Sequence, residues 1–278
     1  MRYFYLAAIT ISCISGSIAE NKPNYLSKGN PVFVANNKID EQQGRWKLIW
    51  RDEFNYKGLP DSTKWNYAVG GNGWGNNEKQ YYTERDTSNA IVANGILTII
   101  AKKQQKGNRD YTSARILTKG KFDFKYGRVE TRAKVPAAIG TWPAVWMLGA
   151  DIDITGWPGC GEIDFLEHRG MELNKMYGTL HYPGHSGGNG NGNTMLIENA
   201  ANSFHEYAVE WSAAEINFFI DNKLYHTVAN SDSIPFNHNF FILVNLAMGG
   251  NFGGEIDKQF SVDKFEIDYI RVYQKTKK

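Results

Sequence analysis

The stretch YGRVETRAKV, residues 126–135, alternates between two kinds of side chain. Every second residue from Val129 to Val135 is apolar or small, and the residues between them are charged. Successive side chains of a β-strand point to opposite faces of the sheet. The pattern therefore predicts a strand with one buried face and one face toward solvent.

The same signal recurs on both sides of this stretch. Short runs rich in β-branched and aromatic residues are separated by Gly, Asn, Asp and Pro; they are ILTIIAK (96–102), TSARILT (112–118), HEYAVEW (205–211), EINFFI (215–220), FFILVNLA (240–247) and FEIDYIRVY (265–273). Asp221 and Asn222 are predicted to turn a hairpin between two such runs. No window of helical length has a clean 3.6-residue period, so the sequence predicts an all-β sandwich or barrel.

The composition limits the class of partner. The 278 residues carry 31 basic and 29 acidic side chains, for a net charge of +2, and 42% of them are hydrophobic. That length supports a large core, and the charge lacks the basic stripe that a nucleic-acid partner requires. The 14% aromatic content, with eight Trp, suits stacking on sugar rings as well as core packing.

The N-terminal 19 residues, MRYFYLAAITISCISGSIA, are typical of a secretory signal peptide. They combine an early positive charge, an apolar run of roughly a dozen residues and small residues at positions 17 and 19, which predicts cleavage after Ala19 and export. The run is short for a membrane span. A lipoprotein anchor at Cys13 is the weaker interpretation, because Thr10 stands where an aliphatic residue is usual.

Residues 20–43 are polar and rich in Asn and Lys, which predicts a tether without structure of its own. Residues 44–278 are predicted to form one domain, and we expect a monomer. Cys160 is the single cysteine that follows the signal peptide, so no internal disulfide is expected.

The segment GEIDFLEH, residues 161–168, places Glu162, Asp164 and Glu167 within six residues. On a helix the second and third acids would lie about 200° and about 140° around the axis from the first, so a helix separates them. On a regular strand Glu162 and Asp164 share a face, but Glu167 points away. A β-bulge at Phe165 and Leu166 would turn Glu167 back toward the other two.

Three interpretations of these acids are open. They are solvated groups on an edge strand, or they bind calcium together with His168, or they hydrolyse glycosidic bonds. The apolar neighbours WPAVWMLG (142–149) weigh against the first interpretation, and the opposite orientations expected of adjacent Glu167 and His168 weigh against the second. Glycoside hydrolysis needs one acid to protonate the leaving oxygen and another to attack the anomeric carbon, and crowded like charges keep one of them protonated.

The motif also matches a known signature. GEIDFLEH resembles the E-x-D-x-x-E motif of glycoside hydrolase family 16 in its laminarinase-like form. Further blocks resemble that family in the same order, from about residue 46 to 274: WRDEFNY (50–56), GGNGWGNNEKQYYT (70–83), YTSARILTKGKFDFKYGRVETRAKVP (111–136), GTWPAVWMLG (140–149), GTLHYPG (178–184), FHEYAVEW (204–211) and DYIRVYQ (268–274).

The resemblance implies a β-jelly-roll sandwich of two antiparallel sheets with a concave substrate cleft. It implies endo-acting hydrolysis of β-1,3-glucan with retention of configuration and no catalytic cofactor. Glu162 resembles the nucleophile, Glu167 the acid/base and Asp164 the assisting acid. Retention implies that the two glutamate carboxyls lie about 5 to 5.5 Å apart.

Other blocks supply candidate binding residues. Trp142 and Trp146 are four apart, so a strand places both on one face, where they could line the cleft or pack in the core. By resemblance the remaining substrate-binding candidates are Trp74, Asn77, Arg115 and His181. Relatives commonly have Trp where Phe252 stands, which leaves the preferred sugar open. A structural calcium ion is implied on the convex face, bound by Glu53, Gly95 and Asp268.

Two further functions are open from the sequence. One keeps the mechanism and changes the polymer to a mixed-linkage β-glucan or a marine galactan. The other is a β-glucan-recognition protein without catalysis, which is disfavoured because all three acids are present.

Overall fold

The computed structural model describes residues 45–276. The predicted signal peptide at 1–19 and the predicted tether at 20–43 lie outside the described residues, so both stay predictions. Within the described part of the chain, no helix is long and apolar enough to span a membrane.

Residues 45–276 form seventeen β-strands and very little helix. The strands are β1 (Trp46–Asp52), β2 (Asn66–Tyr67), β3 (Gln80–Tyr82), β4 (Ala90–Ala93), β5 (Ile96–Lys106), β6 (Arg109–Ser113), β7 (Arg115–Leu117), β8 (Gly127–Lys134), β9 (Thr141–Gly149), β10 (Glu162–His168), β11 (Lys175–His181), β12 (Asn191–Leu196), β13 (His205–Trp211), β14 (Glu215–Ile220), β15 (Lys223–Ala229), β16 (Phe240–Met248) and β17 (Val262–Lys275). The helices are the single turns α1 (Ile152–Thr155) and α2 (Gly250–Gly253), and Gly187–Asn189 forms a 3₁₀ turn.

The strands form two sheets that pack face to face. The ten-stranded sheet has the order β15-β14-β13-β8-β17-β5-β6-β3, with β1 paired to β17 and β4 paired to β5. The seven-stranded sheet has the order β12-β11-β10-β9-β16-β7-β2. The prediction of an all-β jelly-roll sandwich is confirmed, with one parallel pair, β3 with β6, among otherwise antiparallel neighbours.

Strand β8 shows why the alternating pattern forms this sheet. β8 lies between β13 and β17 in the ten-stranded sheet. Val129 and Ala133 are buried in the core, as predicted, because they lie on the face that packs against the other sheet. Glu130 points to the outer face but is also covered. It accepts hydrogen bonds from Arg128 Nε at 3.1 Å and from the Tyr273 hydroxyl at 2.9 Å.

The predicted hairpin is also confirmed. Strands β14 and β15 pair through the two-residue turn Asp221–Asn222, where both residues have positive φ, 48° and 62°. Asp and Asn tolerate this left-handed conformation and so favour such a turn.

The main core fills the space between the sheets. It takes buried side chains from both, among them Leu97, Ile99, Phe218 and Ile270 from the ten-stranded sheet and Val145, Met147, Ile163 and Val244 from the seven-stranded sheet. A second, smaller cluster lies elsewhere and contains Leu148, Cys160, Phe241 and Leu243. Because Cys160 belongs to this cluster, the cluster holds the segment that leads into β10 in place.

Candidate active site

The three predicted acids lie together on β10, an inner strand of the seven-stranded sheet. Ile163 pairs with Leu180 and faces the core, whereas Glu162 pairs with His181 and Asp164 with Thr179 on the opposite face. Beyond Asp164 the register shifts, and Glu167 pairs with Tyr177. Two residues of β10 therefore stand opposite one residue of β11.

This register shift is the predicted β-bulge. Phe165 and Leu166 are consecutive, yet both are buried in the main core, with 1% and 0% of their surface exposed. Because both turn inward, Glu167 returns to the outer face with Glu162 and Asp164. The prediction of a bulge at Phe165 and Leu166 is confirmed.

Each outer glutamate accepts a hydrogen bond from an indole. Trp142 Nε1 donates to Glu167 Oε1 at 3.0 Å, and Trp157 Nε1 donates to Glu162 Oε2 at 3.1 Å. Trp142 was predicted to share one face of a strand with Trp146, in the cleft or in the core, and the contact with Glu167 places it on the face of the acids. Trp157 was missed; the signal available for it was a Trp in the Gly/Pro segment GWPGCGE, five residues before Glu162.

Burial and mutual repulsion dominate the ionisation of the acids. Burial, with the neighbouring Glu167 charge, raises the pKa of Glu162 to about 8, and burial raises the pKa of Glu167 to about 7 against the opposing Trp142 hydrogen bond. Burial and the charges of both glutamates raise the pKa of Asp164 well above its ordinary value. The three groups titrate together, so fewer than three negative charges are present at neutral pH.

Asp164 is the acid most suited to keep its proton. Its side chain is 4% exposed, compared with 17% for Glu162, and its Oδ2 has no hydrogen-bond partner among the described residues. A protonated Asp164 can donate to Glu162, which favours the ionised form of Glu162. Near neutral pH the three acids can thus supply both a carboxylate and a protonated carboxylic acid on one face of the sheet.

His181 lies beside the first two acids. Its Nε2 is 3.3 Å from Asp164 Oδ2 and 3.9 Å from Glu162 Oε1. Burial lowers the pKa of His181 to about 4, so the ring is neutral near pH 7. The alternative metal site with His168 does not form: His168 is fully buried on the core side and its Nδ1 lies 3.2 Å from the Lys175 carbonyl oxygen.

The other predicted binding residues extend the site across the sheet. Arg115 lies between two indoles, with its Cζ 4.9 Å from the Trp74 ring centroid and 4.7 Å from the Trp146 ring centroid. Trp146 Nε1 donates to Asn245 Oδ1 at 2.7 Å, and Asn245 pairs with Arg115 across β16 and β7. The buried Arg115 Nε has no partner among residues 45–276. Asn245 is a neighbour that sequence reasoning missed.

Phe252 lies at the Glu167 end of the site. Its ring centroid is 5.2 Å from that of Trp142 and 5.0 Å from that of Tyr177, so it connects the strands on either side of β10. Asn77 fixes the α2 turn that carries Phe252, because its Nδ2 donates to Asn251 Oδ1 at 2.8 Å. Trp74 and Asn77 thus occupy opposite ends of one loop, the first beside Arg115 and the second beside α2.

The predicted calcium ligands converge on the other sheet, away from the acids. Asp52 pairs with Ile270 and Leu97 with Ile267, a register that brings Glu53, Gly95 and Asp268 toward one corner of the ten-stranded sheet. Both carboxylates, however, are held by arginines. Arg271 binds both oxygens of Glu53, at 2.8 and 2.9 Å, and Arg132 binds Asp268 at 2.5 Å. Calcium at this corner would therefore compete with these arginines for the two carboxylates.

Two shielded glutamates with an aspartate between them, on the open face of a β-sandwich, are typical of a glycoside hydrolase. Comparison with known proteins gives the family. The family model described as glycosyl hydrolases family 16 matches residues 77–271, and the chain belongs to this family.

Named relatives agree with this assignment. The chain is 42% identical over 245 residues to a beta-glucanase of Rhodothermus marinus, covering 82% of this chain and 85% of that protein. It is 37% identical over 252 residues to a glucan endo-1,3-beta-glucosidase of Cryptopygus antarcticus, covering 82% of this chain and 92% of that protein. Among solved structures, the laminarinase from Rhodothermus marinus superposes with a TM-score of 0.81 at 41% identity, covering 84% of this chain and 99% of that one.

Proposed function

We propose that the protein is an endo-acting hydrolase of β-1,3-glucan that works by double displacement with retention of configuration. The observation that carries the proposal is the bulge in β10, which places Glu162, Asp164 and Glu167 on one face. The names of the relatives indicate β-1,3-glucan as the polymer, and the three acids account for the hydrolysis.

In the first step a Glu162 carboxylate oxygen attacks the anomeric carbon. The bond from that carbon to the glycosidic oxygen breaks, and Glu167 gives its proton to the departing oxygen. The carboxylates lie beside the positive charge that develops on the sugar. Asp164 shares its proton with Glu162 while Glu162 is ionised, before its negative charge is lost in the ester. The product is a glycosyl ester of Glu162.

In the second step Glu167, now ionised, takes a proton from water. The water oxygen bonds to the anomeric carbon and the ester bond to Glu162 breaks, which restores both residues. Two inversions at the same carbon give net retention. Neither step needs a metal ion or a redox cofactor.

Replacing one acid at a time tests this assignment. Glu162→Gln and Glu167→Gln should each reduce the rate of laminarin hydrolysis by several orders of magnitude. The melting temperature should stay unchanged, and both variants should still bind glucan. Asp232→Asn, at an exposed loop position, is the matched control. Hydrolysis near the unaltered rate in either glutamate variant would contradict the assignment, and an initial α-anomeric product, measured by NMR, would contradict retention.

The preferred polymer is tested separately. We expect laminarin to be cleaved faster than lichenan, agarose, carrageenan and cellulose, with internal cuts that release oligosaccharides of several lengths. Faster cleavage of lichenan or of a galactan would favour the second candidate function. Binding of laminarin without any cleavage would favour the recognition protein.

Export and calcium are proposals that rest on other residues. Export rests on the sequence of residues 1–19, which predicts cleavage after Ala19. A structural calcium ion rests on the convergence of Glu53, Gly95 and Asp268, where Asn55 Oδ1 is a further nearby oxygen. We expect the protein to be a monomer and its partner to be a polysaccharide.

A further inference from the structure

We propose that Trp157 is a positioning residue for the nucleophile: its indole N–H orients the Glu162 carboxylate for attack and favours its ionised form. The inference rests on the proposed function, since only a double displacement uses Glu162 as a nucleophile.

The contact is specific to one oxygen of the nucleophile. Trp157 Nε1 donates to Glu162 Oε2 at 3.1 Å, while the other oxygen, Oε1, faces His181 Nε2 at 3.9 Å. The Trp157 and His181 ring centroids are 6.1 Å apart, so the two rings flank the carboxylate. A donor fixed on Oε2 restricts the rotation of the carboxylate. It keeps Oε1 directed toward Asp164 and His181.

Trp157 is held in place although 48% of its surface is exposed. The segment after α1 is folded on itself by hydrogen bonds from Cys160 N to the Gly156 carbonyl at 2.9 Å and from Gly161 N to the Pro158 carbonyl at 3.1 Å. Cys160 is fully buried in the smaller apolar cluster. A half-exposed indole on a fixed backbone, with its N–H aimed at a partly buried carboxylate, is better explained by that N–H group than by packing.

A neutral donor suits this position. The catalytic transition state develops positive charge on the sugar next to Glu162. An arginine or lysine at the place of Trp157 would also favour the carboxylate, but its charge would repel the developing cation. An indole N–H stabilises the carboxylate without that cost. Trp142 has the same relationship to Glu167 on the other side of the bulge.

Several titratable groups face Glu162 and share in its ionisation. They are Asp164 and Glu167 on β10, His181 on β11, Arg115 on β7 and Cys160 in the preceding segment. Burial and Glu167 raise the pKa of Glu162, whereas Arg115 and the hydrogen bond from Trp157 lower it. Removing the indole N–H should therefore shift the ionisation of Glu162 to higher pH.

The test is a double-mutant cycle with Trp157→Phe, which keeps an aromatic ring and removes the N–H. With Glu162 present, kcat on laminarin should fall between about tenfold and about a hundredfold, the range for a hydrogen bond to a charged group. In the Glu162→Ala background, azide attacks the anomeric carbon, Glu167 protonates the leaving oxygen, and an α-glycosyl azide forms. There the same Trp157→Phe change should alter the azide-supported rate by less than about twofold.

Equal losses in both backgrounds would overturn the proposal, because they would show that Trp157 contacts the sugar rather than acting through Glu162. An unchanged melting temperature of Trp157→Phe checks that the variant folds. If the unaltered protein does not cleave laminarin, or if Glu162→Ala keeps full activity without azide, the proposed function itself fails.

The pH profile gives a second readout that a structural role would not move. In Trp157→Phe the acid limb of kcat/KM should lie at higher pH than in the unaltered protein, by about half a unit to about one unit. An acid limb at an unchanged pH would contradict the inference, whatever the effect on kcat.

Discussion

The indole nitrogen of Trp142 and Oε1 of Glu167 are 3.0 Å apart, which joins β9 to the proposed acid/base of β10. The N–H favours the ionised carboxylate and so opposes the rise in pKa that burial causes. The acid must be protonated for the first step. Its pKa of about 7 therefore predicts that kcat/KM falls as the pH rises through this region.

Trp142→Phe tests this relationship. Without the N–H the pKa of Glu167 should rise, so the alkaline limb of kcat/KM should move to higher pH, by about half a unit to about one unit. Trp46→Phe, on the other sheet, is the matched control and should leave the profile unchanged. An alkaline limb that stays in place, or moves to lower pH, would contradict the role of this hydrogen bond.

The bulge should depend on its two inward side chains. Phe165→Ala removes a ring that is 1% exposed in the main core and should lower the free energy of unfolding by about 3–5 kcal/mol. Leu196→Ala, at a residue that is 75% exposed, should change it by less than about 0.5 kcal/mol. Urea denaturation measures both. A small effect at Phe165 would show that the bulge is not packed as described.

Gly149 should tolerate no side chain. A Cβ at this position would lie 2.0 Å from the Cys160 carbonyl oxygen and 2.7 Å from His238 Nε2, and the first of these is backbone. Gly149→Ala should therefore displace the segment that carries Trp157, reduce kcat and lower the free energy of unfolding by about 1–3 kcal/mol.

Gly188→Ala is the control for this prediction, because a Cβ there meets nothing within 4 Å. Thermal melting and laminarin hydrolysis of both variants provide the comparison. Equal stability and activity of the two variants would be inconsistent with the close approach of β9 and the Cys160 carbonyl.

Arg115 should bind substrate through the planar shape of its guanidinium. It lies between Trp74 and Trp146, an arrangement that lysine cannot reproduce. Arg115→Lys should raise KM for laminarin by about tenfold, the size expected for one lost charged hydrogen bond. Lys119→Ala removes an exposed ion pair with Asp153 and should leave KM unchanged. An unaltered KM in Arg115→Lys would exclude Arg115 from substrate binding.

Calcium should stabilise the protein if it binds at the corner formed by Glu53, Gly95 and Asp268. Treatment with a chelator should then lower the melting temperature, and added Ca²⁺ should restore it. Glu53→Gln should abolish the response. A protein that carries no calcium by elemental analysis, and whose melting temperature responds to neither chelator nor Ca²⁺, would contradict the site and leave the two carboxylates to Arg271 and Arg132.

The sequence predicted the strands well where each has one buried face. The alternation in β8 and the two turn residues Asp221 and Asn222 are local signals, and neither needs distant contacts to be interpreted. Strand β16 is different. All nine of its residues are buried, because the core covers one face and the smaller cluster and site residues cover the other, so alternation alone could not assign its faces.

The acids show the same division. The odd spacing of Glu162, Asp164 and Glu167 was sufficient to predict a bulge, since side chains alternate along a strand and only an inserted residue restores the face. The sequence could not identify the donors to these acids. Trp142 is twenty-five residues from Glu167, and Trp157 lies in an irregular turn where no period indicates direction.

By itself the sequence determined the all-β class, the position of the bulge and the three acids, because these follow from the two-residue period of a strand. The tertiary structure decided which side chains meet the acids. It brought His181 rather than His168 beside them, placed an indole on each glutamate, enclosed Arg115 between two tryptophans and gave the outer carboxylates Glu53 and Asp268 arginine partners. Such contacts depend on strand order and on the path of loops, which are set by the packing of the whole sandwich rather than by neighbouring residues.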